Sequence, residues 1–196
     1  VRLRIILASS SERRLSLLRL IGLKFEVIPS NVEEDKIKDL ENLDAEALVK
    51  KLSLLKAKTV AEKVKEGIII AADTVVVLND EIIGKPKSEE EASSFLRRLG
   101  GVTHKVVSGI ALVRKSKDYR ELVKSVTTLV KMKELSRKEI KRYLSTGEAL
   151  DKAGAYAIQG RGAILIEEIK GCYFNVVGLP LYRLSQMLKE LGVEVL

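Results

Sequence analysis

The chain of 196 residues holds one cysteine and one histidine. A lone Cys172 excludes an internal disulfide framework and a cysteine-rich zinc site. A lone His104 excludes a histidine-based zinc site and a histidine pair. A Ser-His-Asp triad would have to use His104, but there is no Gly-x-Ser-x-Gly elbow to present the nucleophile, so a structural histidine at a strand edge is expected. Aromatic residues make up 4%, too few for the base-stacking platforms of a nucleic-acid binder. No apolar run approaches the roughly 18–20 residues that cross a bilayer. Also missing are a Rossmann GxGxxG, a Walker P-loop, internal repeats and low-complexity linkers. The start, Val1 to Ser9, reads as a strand with no signal-peptide pattern. With the single cysteine, that makes the cytoplasm the expected compartment.

What is present is an ordinary globular composition, 46% apolar and 32% charged. The length fits a single domain spanning 1–196. A net charge of +8 favours acidic partners in general. The basic residues are interleaved with acids, as in 36–41 and 131–141. Neither a nucleic-acid nor a membrane partner is therefore expected.

Leu3 to Leu7 reads as a buried strand, and Ser9-Ser10-Ser11 supplies N-cap chemistry for a helix over 12–20 that Gly22 ends. Phe25 to Ile28 is a short strand. Residues 45–66 form a long amphipathic helix stopped by Gly67. An apolar strand runs from Ile68 into Asp73, and a hairpin follows with its turn at Asn79-Asp80. A helix over 89–99 and paired strands over 102–114 and 121–132 come next. A helix over 136–144 opens with the capping-box pattern Ser136-x-x-Glu139. A loop-rich stretch (147–162), a strand over 163–169 and a helix over 181–191 complete the chain. The class is α/β or α+β with a mixed sheet.

The chemistry concentrates in a few places. An aspartate on a strand buried on both faces costs several kcal/mol if it stays charged and unpaired, about the penalty of a lone buried ion. Asp73 is therefore expected to meet a cation, with Lys85 of Gly84-Lys85-Pro86 or a bound metal as candidates; the alternative is a structural ion pair or an acid in water. Ser9 to Arg14 lies between a strand and a helix start, where free N–H groups, hydroxyls and two arginines form an anion site. The same residues also read as a plain N-cap with solvent-facing arginines. Glu33-Glu34-Asp35 is either a solvated loop or a source of carboxylates for Mg²⁺, which takes one or two of them beside water and phosphate oxygens. In Asp151 to Gly160, small residues let backbone approach a ligand. Gln159, if buried there, offers donors and an acceptor to a pyrimidine edge; otherwise it is a surface glutamine.

These motifs, in order, resemble the Maf family of nucleoside triphosphate pyrophosphatases along nearly the whole chain. The shared landmarks are Leu7 to Arg14, Lys56-Ala57-Lys58, Ala72 to Val76 and Gly84-Lys85-Pro86. His104-Lys105-Val106, Gly147-Glu148, Asp151 to Gly160 and Asn175 to Pro180 continue them. The wording around Asp73 and at Ile158-Gln159-Gly160 is similar to the branch acting on dTTP and UTP. One departure is Glu12, where the family usually has proline.

The resemblance implies a mixed sheet flanked by helices in two lobes around a deep cleft, similar to inosine-triphosphate pyrophosphatases. It implies Asp73, Lys56 and Lys85 as catalytic residues. Ser9, Arg13, Arg14, Thr74 and Gln159 would bind substrate, and Glu34 with Asp73 would hold Mg²⁺ or Mn²⁺. It further implies a homodimer. The rival readings are a pyrophosphatase for ITP or XTP and a non-enzymatic regulator of septum formation.

Overall fold

The computed structural model describes residues 4–33, 37, 40 and 42–196. The chain packs as two compact units. One comprises Val1–Asp73, Ser108–Val126 and Gly178–Leu196, the other Thr74–Val107 and Thr127–Val177.

In the first unit, β1 (Ile5–Leu7) pairs in parallel with β2 (Glu26–Val27) on one side. On the other it pairs in parallel with the start of β3 (Gly67–Leu78), Leu7 opposite Ile70. Helix α1 (Glu12–Leu20) follows β1, and α2 (Ala45–Glu62) precedes β3. The far half of β5 (Thr103–Lys115), the first half of β6 (Arg120–Met132) and α6 (Leu181–Glu190) complete this unit. Its core joins Ile6, Ile69 and Ala71 of the strands to Ala57 and Val60 of α2.

The second unit takes the end of β3, its hairpin partner β4 (Glu81–Ile83), α3 (Glu89–Leu99) and the first residues of β5. The end of β6, α4 (Arg137–Leu144), β7 (Ile166–Lys170) and α5 (Tyr173–Val177) belong to it as well. Leu96 and Leu99 of α3 and Ile140 and Tyr143 of α4 pack on Val76, Val106 and Val130. Along the sheet the strands run β2-β1-β3-β5-β6-β7, with β4 added to β3. This is the mixed α/β arrangement that the element pattern predicts.

Several local expectations hold for the reasons given. Asn79 and Asp80 take positive φ in the tight turn between β3 and β4. Ser136 and Glu139 close a full capping box on α4. Others need correction. Helix α2 ends at Glu62, not at 66. The chain turns there so that Gly67 can begin β3 beside β1, where a Cβ would lie 3.0 Å from the Arg4 carbonyl oxygen. Ser11 is the N-cap of α1 but makes no side-chain cap bond; the Ser9 hydroxyl oxygen accepts from the Ser11 N–H instead, at 3.2 Å. Residues 163–165 close a 3-10 turn, and the strand begins at Ile166. The short helix α5 carries no periodic signal long enough to be read from sequence.

His104 is not at a sheet edge, since β5 lies between β3 and β6. It is buried in the second unit, 2.6 Å from the Tyr156 hydroxyl, with the rings edge to face. Burial lowers its pKa to about 4, against a smaller opposing pull from the Val102 backbone. Burial also raises the pKa of Tyr156, so the hydrogen bond joins a neutral imidazole to a neutral phenol. Between pH 6.5 and about 4 the unfolded chain binds a proton at His104 that the folded chain refuses, so stability is lost as pH falls through that window. The thermal midpoint is expected to drop across it. His104→Gln, whose carboxamide can hydrogen-bond Tyr156 in either direction and does not titrate, is expected to show a shallower fall in the same pH-dependent melts.

Candidate active site

Helix α2 carries Val49, Leu52, Ser53, Ala57 and Val60 on its buried face. Lys56 falls four residues after Leu52 and four before Val60, within that stripe. The helix can lie close to the sheet because β5 has Gly109 there: a Cβ at 109 would sit 2.2 Å from the Val49 carbonyl oxygen. Two turns on, Lys56 Nζ donates to Asp73 Oδ1 at 2.6 Å. Both side chains are largely covered, at 13% and 11% exposure. The cation expected for Asp73 is therefore Lys56; Lys85 is exposed, on the loop after β4. Nor does the strand stop at the acid. β3 runs on to Leu78, because Val75 to Leu78 continue the buried pattern.

The position of Asp73 follows from the register. β1 ends at Leu7, opposite Ile70, and the Ala8 N–H still donates to the Ile70 carbonyl at 2.8 Å. Beyond that point β1 turns into Ser9 and the start of α1, while β3 continues past it to Asp73. A carboxylate, a lysine and a helix N-terminus thus belong to the carboxyl end of parallel strands, where open α/β sheets bind their ligands. Ser9, Arg13 and Arg14 are half-buried, and Glu12 is exposed to solvent. Arg14 Nε donates to the Gly178 carbonyl at 2.9 Å, which ties the arginine to the motif preceding α6.

The second unit carries Thr74, Lys85 and Gln159. Thr74 is half-buried, and Gln159 is exposed rather than buried. The two loops bearing Lys85 and Gln159 are joined, since the Gly154 N–H donates to the Gly84 carbonyl at 3.0 Å. Gly154 takes φ +69, and a Cβ there would meet Val76 at 3.0 Å, so this joint is closely packed. Glu34 lies outside the described residues.

Among the described residues no three His, Cys, Asp or Glu side chains converge as a metal cage. Asp73 offers one carboxylate, with one oxygen engaged by Lys56. A carboxylate oxygen is the donor type that Mg²⁺ takes beside water and phosphate oxygens. None of the described helices is long and apolar enough to cross a membrane.

Comparison with known proteins adds four findings. A model of the Maf-like protein family matches residues 4–191. The chain is 49% identical over 192 residues to a dTTP/UTP pyrophosphatase of Dictyoglomus thermophilum, with 98% of each covered. It is 50% identical over 200 residues to a dTTP/UTP pyrophosphatase of Acetivibrio thermocellus, again with 98% of each covered. Among solved structures, a HAM1 protein from Coxiella burnetii is similar in fold, with a TM-score of 0.52 at 16% identity, covering 96% of this chain and 100% of that one.

Proposed function

The chain belongs to the Maf-like protein family, and from that premise we propose that it hydrolyses nucleoside triphosphates, dTTP and UTP foremost, to the monophosphate and pyrophosphate. The observation that carries the reading is the covered Lys56–Asp73 pair, with Asp73 on β3 just past the register at which β1 ends. The names of its relatives support the choice of base. dTTP and UTP differ by the base methyl, worth about 1–3 kcal/mol in a pocket, and by the ribose 2′-hydroxyl, so a site that takes both reads neither group closely.

In this reading a water attacks the α-phosphorus. A bond forms between its oxygen and phosphorus, the bridge to the β-phosphate breaks, and pyrophosphate leaves. Through the oxygen that Lys56 does not engage, Asp73 either takes the proton from the water or helps to hold the metal, and the Lys56 bond fixes the carboxylate's orientation. Ser9, Arg13, Arg14 and Lys85 hold the phosphates, with the N–H groups at the start of α1 as further donors. Thr74 and Gln159 bear on the base. Mg²⁺ or Mn²⁺ would be held by Asp73 together with Glu34, and when bound it neutralises charge on the triphosphate. The homodimer rests on the family resemblance, and sedimentation of the purified protein tests it; the cytoplasmic location rests on the sparse cysteine.

The deciding experiment is pyrophosphate release from dTTP, UTP, CTP, ATP, GTP, ITP and 7-methyl-GTP, with and without Mg²⁺. Metal-dependent release, strongest with dTTP and UTP, is expected. A folded sample silent across the panel overturns the enzymatic reading, and strongest release from ITP overturns the base assignment.

A further inference from the structure

Gly147-Glu148 recurs among the sequence landmarks without a role in the reaction described above. In the second unit its carboxylate receives two backbone N–H groups from the segment just beyond Gln159. Glu148 Oε1 accepts from Arg161 at 3.2 Å and Oε2 from Gly162 at 3.3 Å. Gly160 takes φ +66 with the carboxylate against it, so that a Cβ at 160 would lie 3.0 Å from Oε1. On the other side of Gln159, the Ala157 N–H donates to the Tyr143 hydroxyl at 3.2 Å. Gly162 closes the turn, since a Cβ there would come within 2.2 Å of the Ala157 carbonyl oxygen.

Both holds come from one place, the end of α4 and the turn after it. That turn is itself fixed, because the Thr146 hydroxyl donates to the Tyr143 carbonyl at 2.7 Å and accepts from the Glu148 N–H at 3.2 Å. The backbone is thus held two residues before Gln159 and two residues after it, while the Gln159 side chain stays exposed. Two adjacent N–H donors need two acceptors, which a carboxylate has. A carboxamide has one, and its amino group would face the second N–H.

We propose that Glu148 is a positioning residue for base recognition, holding the 157–162 turn so that Gln159 is presented to the pyrimidine in one orientation. This rests on the reading of Gln159 as a base contact. A side chain held in place before binding loses less freedom when the ligand arrives, so the effect belongs in affinity and base preference and not in the chemical step.

The test is kcat and KM for dTTP, UTP, CTP and GTP with the full-length protein carrying Glu148→Gln, Gln159→Ala or both. Glu148→Gln is expected to raise KM for dTTP about tenfold, the worth of one charged hydrogen bond, with kcat within about twofold. It should narrow the kcat/KM ratio of dTTP to CTP, and adding it to Gln159→Ala should narrow that ratio no further. If Gln159→Ala leaves the ratio unchanged, the base-contact reading falls and takes the proposal with it. If Gln159→Ala narrows the ratio and Glu148→Gln does not, the positioning role alone is overturned. An equal loss for all four substrates would mark Glu148 as merely structural and overturn it too. Should the Gln variant melt below the assay temperature, Glu148→Asp carries the same expectation, since it keeps the charge but ends one methylene short of the two N–H groups.

Discussion

Asp73→Asn is expected to lower kcat/KM for dTTP by about 10³-fold, the usual loss when a group acting on the reacting water is removed. The substitution is nearly isosteric, so β3 keeps its packing between Ala72 and Thr74. The carboxamide oxygen can still accept from Lys56, whose Nζ lies 2.6 Å from Oδ1 in the native pair. What is lost is the negative charge and the ability to take a proton. The loss should therefore fall on kcat for every nucleotide alike and leave the order of base preference intact. Lys56 keeps its charge in a covered place, at 13% exposure, so some stability is lost too. For a chain of this size each kcal/mol moves the melting point by about 2–4 °C. Pyrophosphate release paired with a thermal melt separates the two effects. Near-native turnover in the folded variant would remove Asp73 from the reaction.

Most of the architecture follows from patterns that the residues display openly. β3 is a run of β-branched residues, α3 and α4 begin at Ser88 and Ser136 with side-chain caps, and the β3–β4 turn uses Asn79-Asp80, which tolerate positive φ. What the sequence hides is pairing over distance. The Asp73 carboxylate clearly needs a cation, but lysines on several elements are available, and choosing Lys56 requires the packing of α2 on β5. One signal was there: Lys56 interrupts the stripe of Val49, Leu52, Ser53, Ala57 and Val60, where a surface lysine does not belong. Lys58, off that stripe, pairs instead with Glu121 at 2.9 Å. Glu148 gave a weaker signal, because a carboxylate that binds backbone N–H groups has no partner of its own type to be sought in the sequence.

Lys56→Met is the second large effect, and its consequences separate structure from chemistry. Methionine keeps most of the length and apolar stem that lie on the α2 face, so packing is conserved and only the cation is lost. Asp73 is then left 8% exposed and without its ion pair. Breaking a buried pair in this way costs about 3–5 kcal/mol, and a pair covered to nine-tenths belongs at the low end of that range. Activity should fall about 10²-fold, the typical loss for removing one charge-stabilising donor. The decisive variant is the double, Lys56→Met with Asp73→Asn. If the pair is a true couple, the double variant leaves no uncompensated charge and loses less stability than the two single variants added together. Its activity should be no lower than that of Asp73→Asn alone, because Lys56 acts through the carboxylate it holds. Additive losses in both the melts and the pyrophosphate assay would mean that Lys56 contacts the substrate on its own account, and that its bond to Asp73 is incidental.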